Sequence, residues 1–206
     1  MEYQLKGHQK FYLVIKRFLD ILFSFIAILL LGWVILLICI LQKIFNKGTI
    51  LFVQERVGQH DKPFKLLKFR SMTQNVNHEM TSAQVGDISN YTTKFGRILR
   101  KSSLDELPQL FNVFVGQMSF IGPRPLIDKH EDALTIQKRR ENGSIHLKPG
   151  ITGLAQISGR INLDPEKKGE YDGQYYQKIS FGMDIKIFFK TFFKVIRRED
   201  TEKKPN

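Results

Sequence analysis

The sequence holds one cysteine in 206 residues, Cys39, and it lies inside an apolar run. Intrachain disulfides and multi-thiolate metal sites are therefore excluded. No G-x-x-x-x-G-K-[ST] loop and no G-x-G-x-x-G fingerprint occurs, so the two common glycine-rich cradles for nucleotide phosphates are missing. The D-x-D triplet used by many metal-dependent nucleotide-sugar enzymes is missing too, as are internal repeats and low-complexity tracts. Acids are in deficit: 20 Asp+Glu stand against 32 Lys+Arg, a net charge of +12, which calls for anionic partners. Nucleic acid, a phospholipid surface and phosphorylated metabolites all qualify. The bases are dispersed and no binding motif interleaves them with aromatics, so nucleic acid is not expected as a partner.

Charge is also absent from Ile21 to Leu41, 21 consecutive residues. As a helix this run extends roughly 30 Å, about the hydrocarbon thickness of a bilayer. It is too long for a signal-peptide core and has no small-residue cleavage site before Gln42 and Lys43. A soluble domain of this size has little room to bury Ile, Leu, Phe and Trp33 on every side of one helix. Lys6, Lys10, Lys16 and Arg17 precede the run and Lys43, Lys47 and Arg56 follow it. Basic flanks on both sides place both ends on the cytoplasmic face, which a re-entrant hairpin bent near Gly32 satisfies. A single pass is the competing topology, since glycine is common in spanning helices.

Beyond the run, Thr49–Gln54 and Phe64–Phe69 are short, apolar and rich in β-formers, separated by the polar turn 58–63, and read as a hairpin. Residues 73–93 are polar and weakly periodic, a surface loop that could cover a site. A short helix over 95–100 is followed by a helix over 103–114, a rigid loop over 116–125 with two prolines around Arg124, and a polar helix over 128–142. In Lys148–Arg160, Gly150, Gly153 and Gly159 stand among apolar residues; they read either as a backbone that approaches a ligand or as ordinary turns. Residues 183–198 form an amphipathic helix with Lys186, Lys190, Lys194 and Arg197 on one face and Phe188, Phe189, Phe192, Val195 and Ile196 on another. Its phenylalanines lie either in a membrane interface or on the core.

The stretch from Arg100 to Pro125 carries the chemistry. It sets the adjacent acids Asp105 and Glu106 behind Arg100 and Lys101 and ahead of Arg124, with Leu107, Leu110, Phe111 and Phe114 at helical spacing. Ser103 and Glu106 match a capping box, which gives the acids a purely structural use. Phosphate handling without a glycine-rich loop has to come from Arg and Lys, helix N-termini and a hard cation held by carboxylates.

Several ordered motifs resemble the bacterial sugar transferases, the monotopic phosphoglycosyl transferases. They are Lys16-Arg17-x-x-Asp20, Gln54-Glu-Arg56-Val-Gly58, Lys68-Phe-Arg70-Ser-Met72, Arg100–Asn112, Met118–Pro125 and Lys148–Gln156, and together they cover nearly the whole chain. The sequence departs from that family at Gly32-Trp33, where a Ser-Pro pair is usual, at Gln117, where an acid is usual, and in the spacing of Asp172-Gly-Gln-Tyr175-Tyr176.

The resemblance implies transfer of a sugar 1-phosphate from a UDP-sugar donor to polyprenyl phosphate, at the cytoplasmic face of the bacterial inner membrane. Asp105 is the implied nucleophile and Glu106 its partner, with Mg²⁺ as cofactor and Asp105 among its ligands. Lys68, Arg100 and Arg124 are implied phosphate contacts, and Arg160 and Asp172 further substrate contacts. The expected fold is a helix-rich α/β (α+β) arrangement. An N-terminal membrane-embedded, re-entrant helix (1–42) leads into a small membrane-associated catalytic domain with a β-hairpin and amphipathic interfacial helices (43–200), and a flexible tail follows (201–206). The competing function is a membrane-tethered basic scaffold in which Asp105 and Glu106 only start a helix.

Overall fold

A computed structural model describes residues 4–46, 48–73, 91–159 and 163–197. Among the described residues the chain is a helix-rich α/β fold with one long apolar helix and two small sheets. Most of the 73–93 stretch, Arg160 and the 201–206 tail lie outside the described residues.

Helix α1, Gly7–Phe45, runs unbroken for 39 residues, about 58 Å at 1.5 Å per residue. The bend expected at Gly32 does not form: Gly32 is helical, nothing crowds it, and no residue there interrupts the backbone ladder. The polarity of α1 is inverted relative to a soluble surface helix. Gln9, Lys16, Asp20, Ser24 and Gln42 are buried against the rest of the protein, while Phe11, Val14, Phe18, Leu22, Phe25, Leu29, Trp33, Leu36, Ile40 and Ile44 face outward.

The buried stripe docks along the domain. Lys16 Nζ meets Asp184 Oδ2 at 2.6 Å, Arg17 donates to the Val113 and Phe114 carbonyls at 2.7 and 2.9 Å, and Asp20 Oδ1 accepts from Phe120 N–H at 3.1 Å. At the other end, Gln42 Nε2 donates to the Arg70 carbonyl at 2.6 Å, and Ile38 joins Phe69 and Leu99 in a core cluster. Arg17 caps the open carbonyls of a short helix, where a cation is favoured.

Strands β1 (Leu51–Val57) and β2 (Pro63–Phe69) form the expected antiparallel hairpin, with Phe52 opposite Lys68 and Arg56 opposite Phe64. Its turn holds His60 and Asp61 at positive φ. Helix α2 (Lys94–Lys101) starts on a true cap, with Thr93 accepting from Gly96 N–H at 2.9 Å. Helix α3 (Gln109–Phe114) is followed by β3 (Ser119–Ile121), α4 (His130–Asn142) and β4 (Gly150–Thr152), and β3 pairs with β4 in parallel.

Gly150 and Gly153 serve this pairing. A Cβ on Gly150 would meet Gly122 N at 2.1 Å, and one on Gly153 would meet Gly122 O at 2.0 Å, so two backbones meet where side chains cannot fit.

Helices α5 (Leu154–Gly159), α6 (Pro165–Lys178) and α7 (Phe181–Arg197) complete the fold. Helix α6 begins with Asp164 accepting from Lys167 N–H at 2.8 Å and Pro165 at the first position, both strong start signals. Over 181–194 of α7, Asp184 and Ile187 are the buried residues, while Phe181, Ile185, Phe188, Phe189, Phe192 and Phe193 are exposed. The phenylalanines therefore do not pack on the core.

Candidate active site

The acidic pair lies on a single 3₁₀ turn, Leu104–Glu106, and the continuous 103–114 helix expected from periodicity is not formed. Ser103 adopts a left-handed conformation (φ 56°) and its side chain caps nothing, so the capping box is absent; its carbonyl instead accepts from Glu106 N–H at 3.2 Å. Pro108, lacking an N–H donor, then separates this turn from α3. Asp105 and Glu106 thus sit on a short turn wedged between two helices, and not in the first turn of one.

Leu104 and Leu107 flank the acids and pack on the cluster of Ile38, Phe69 and Leu99, together with Val34, Ile35 and Cys39 of α1. This apolar floor withdraws Asp105 from water. Burial pushes its carboxyl up from the ordinary 3.8 to about 6; the Lys68 cation opposes the rise, the Glu106 carboxylate adds to it, and Arg100 and the residue's own backbone N–H oppose it. Lys68 comes from the hairpin and its Nζ meets Glu106 Oε1 at 2.8 Å. Arg100 arrives from the last turn of α2, which is pinned through Leu99 to the same cluster.

Four of the sequence-derived residues, Asp105, Glu106, Lys68 and Arg100, are therefore brought together from three separate elements. Among the described residues no cluster of three His, Cys, Asp or Glu side chains forms, so a cage of protein ligands alone is not built there.

Arg124 projects into solvent from a loop whose Pro123 and Pro125 are buried. Gly122 N–H donates to the Thr152 carbonyl and Gly150 N–H to the Pro123 carbonyl, each at 2.8 Å, so the Pro-Arg-Pro segment is rigidly held.

Asp172 requires a correction. It is 1% exposed, and its Oδ2 takes both Arg139 Nη2 at 2.6 Å and Arg139 Nε at 2.8 Å, so it joins α6 to α4 inside the fold and presents nothing to a substrate from solution. Arg160 lies outside the described residues.

Arg56 escaped selection as a site residue, although it stands within the quoted Gln54–Gly58 motif. Strand alternation puts Phe52, Gln54 and Arg56 on one face of the hairpin, and the register places Lys68 on that same face. Period two was readable in the sequence; the pairing register that sets Arg56 and Lys68 on one face was not.

Acids and cations gathered in this way suit a transferase that acts on phosphates. The chain belongs to the bacterial sugar transferase family, which it matches over residues 11–198. It is 43% identical over 188 residues to a UDP-glucose:undecaprenyl-phosphate glucose-1-phosphate transferase of Klebsiella pneumoniae, covering 88% of this chain and 40% of that protein. It is 38% identical over 188 residues to a UDP-N-acetylgalactosamine-undecaprenyl-phosphate N-acetylgalactosaminephosphotransferase of Aeromonas hydrophila, covering 87% of this chain and 43% of that protein. An uncharacterized sugar transferase, EpsL, of Bacillus subtilis (strain 168) is 37% identical over 187 residues, covering 91% of this chain and 90% of that protein. The chain thus spans about two fifths of the first two relatives and nearly all of the third.

Proposed function

We propose that the protein transfers a sugar 1-phosphate from a UDP-sugar to polyprenyl phosphate, giving a polyprenyl diphosphosugar and UMP. The observation that carries this reading is the convergence of Asp105, Glu106, Lys68 and Arg100 on an apolar floor shared with α1. A water-soluble donor reaches the cations from one side, and a lipid acceptor reaches the same acids along the apolar helix.

In this reading an Asp105 Oδ attacks the phosphorus next to the sugar. The bond from that phosphorus to the bridging oxygen breaks, UMP leaves with the electron pair, and an aspartyl phosphosugar remains. An oxygen of polyprenyl phosphate then attacks the same phosphorus, the acyl phosphate bond breaks, and the Asp105 carboxylate returns. Lys68 and Arg100 offset the charge of the diphosphate as the carboxylate approaches. Glu106, held by Lys68, stands beside the nucleophile either to take the acceptor's proton or to share a cation.

Mg²⁺ fits the residues present: two hard carboxylates on adjacent positions match its habit of taking one or two protein carboxylates plus substrate phosphates. When bound, the ion supplies charge neutralisation for the transferring phosphoryl group.

The outward apolar face of α1 and the exposed phenylalanines of α7 are proposed to enter the bilayer, with both ends of α1 held on the cytoplasmic side because both dock on one domain. The test is incubation of the membrane-extracted protein with a panel of UDP-sugars, Mg²⁺ and undecaprenyl phosphate. UMP release together with a lipid-linked sugar is expected for at least one donor, and no UMP from any donor overturns the reading.

A further inference from the structure

Away from the acidic pair, two imidazoles meet across the fold. His60 lies at the tip of the β1–β2 hairpin and His146 in the short 3₁₀ turn Ser144–His146 that follows α4. Their Nδ1 atoms are 2.8 Å apart, their ring centroids 4.9 Å apart and their planes inclined by 46°. The strand that leaves this tip reaches Lys68 five residues after Pro63, about 17 Å along β2, so the pair stands well apart from the acids.

The chemistry of the turn does not call for histidine. Lys62 N–H donates to the Gln59 carbonyl at 3.2 Å around His60 (φ 57°, ψ 37°) and Asp61 (φ 60°), a type I′ turn whose two left-handed positions favour Asn-Gly. Each residue that stands there instead reaches a neighbour. Asp61 takes Arg140 Nε at 2.9 Å and Nη2 at 3.1 Å, and His60 meets His146. Holding the tip in place does not need the imidazoles. Arg140 ties it to α4, and Gln59 Nε2 donates to the His146 carbonyl at 2.9 Å, over a core of Val57, Leu126, Ile136 and Ile145. Both rings therefore project from backbone that other contacts fix, as a preorganised pair of ligands requires.

Two imidazole nitrogens suit late first-row divalent metals. With metal–nitrogen bonds of about 2.0–2.1 Å, a separation of 2.8 Å subtends about 85–90° at the metal, the angle between adjacent positions of a square-planar or octahedral ion. Tetrahedral zinc would need about 3.3 Å between the nitrogens. Both oxygens of Asp61 are held by Arg140, and among the described residues no third His, Cys, Asp or Glu joins the pair, so water completes the coordination. A neutral pair in hydrogen-bond contact carries one Nδ1–H. On binding, that ring passes to its Nε2–H tautomer, both Nδ1 lone pairs face the ion, and no net proton is released.

We propose that His60 and His146 form a bidentate site for a square-planar or octahedral divalent cation, Cu²⁺ or Ni²⁺, which staples the hairpin tip to the segment leading into β4. The ion bound there is distinct from a Mg²⁺ at the carboxylates: its ligands are nitrogens, and it takes no part in the transfer step.

The metal-stripped full chain in detergent, titrated with Cu²⁺ without Mg²⁺ and followed by electron paramagnetic resonance, tests the site. One Cu²⁺ per chain coupled to two imidazole nitrogens is expected. Ni²⁺ at a hundredfold excess over its Kd should raise the melting temperature by about 5–10 °C. His60→Asn, which keeps a residue suited to the left-handed position, and His146→Gln should each weaken Cu²⁺ binding about a hundredfold by removing the chelate, whereas His8→Gln should leave it unchanged. Binding unchanged in His60→Asn or in His146→Gln overturns the site. The wild-type spectrum decides the matter even where a variant fails to fold, because coupling to one nitrogen, or to none, also overturns it.

Discussion

Asp105→Asn keeps the shape of the side chain on the 3₁₀ turn and removes a charge that the fold holds at a cost. The carboxyl is pushed from 3.8 to about 6, chiefly by burial on the Leu104 and Leu107 floor. That displacement corresponds to about 3 kcal/mol between the two protonation states. The sign follows from linkage: a carboxyl raised on folding binds its proton more tightly in the native state. Native stability therefore falls as pH climbs from about 4 to about 6 and stays lowered above that window. Asp105→Asn should accordingly match the wild type near pH 3.5 and exceed it by about 3 kcal/mol at pH 7.5, a net figure that already contains the opposing attraction to Lys68 and Arg100. For a chain of this size the gain is on the order of 10 °C in melting temperature. The assay is thermal unfolding of both proteins from about pH 3.5 to about pH 8 in one detergent, with transfer activity measured in parallel. A variant no more stable than the wild type at pH 7.5, or a difference that does not vary with pH, refutes the claim that a poorly compensated buried charge sits at position 105.

The wild-type rate of donor cleavage should rise with pH along a limb centred near 6, as Asp105 ionises, and a flat profile between pH 5 and 7 contradicts this. Lys68→Met removes the cation that most opposes the rise, so the same limb should move to higher pH while activity falls about a hundredfold, read from steady-state rates. Asp172→Asn breaks a fully buried ion pair with Arg139 and should destabilise by about 3–5 kcal/mol without a selective change in donor KM for the folded fraction, measured by denaturant titration and kinetics. Lys16→Met leaves Asp184 buried without its cation and should loosen α1 from the domain, costing about 3–5 kcal/mol and exposing the 7–20 segment to limited proteolysis.

The hairpin, α2 and α4 were legible because alternation and turn residues agree locally, whereas α6 was passed over although Asp164 and Pro165 mark its start. The failures lie where a distant contact decided the outcome. Ser103 and Glu106 spell a capping box, but the α2 terminus and Pro108 squeeze the chain into a left-handed residue and a 3₁₀ turn, and no local pattern announces that. Gly32 looked like a bend in an apolar run; helix α1 continues through it because the polar stripe from Gln9 to Gln42 finds partners on one domain along its length. The glycines at 150 and 153 marked a close approach correctly, yet the approaching group is the Gly122 backbone. Asp172 carried the right residue type for substrate contact and was claimed by Arg139, a pairing across 33 residues that spacing does not reveal. Asp105, Glu106, Lys68 and Arg100 were chosen from ordered motifs, and the fold assembles all four.

Intact mass of the membrane-extracted protein, incubated with a UDP-sugar and Mg²⁺ but no polyprenyl phosphate, bears most directly on the covalent role of Asp105. A mass increase of one sugar phosphate, mapped to Asp105, lost in Asp105→Asn and discharged on adding undecaprenyl phosphate, is the expected result. No adduct with any donor, together with normal turnover by Asp105→Asn, contradicts it.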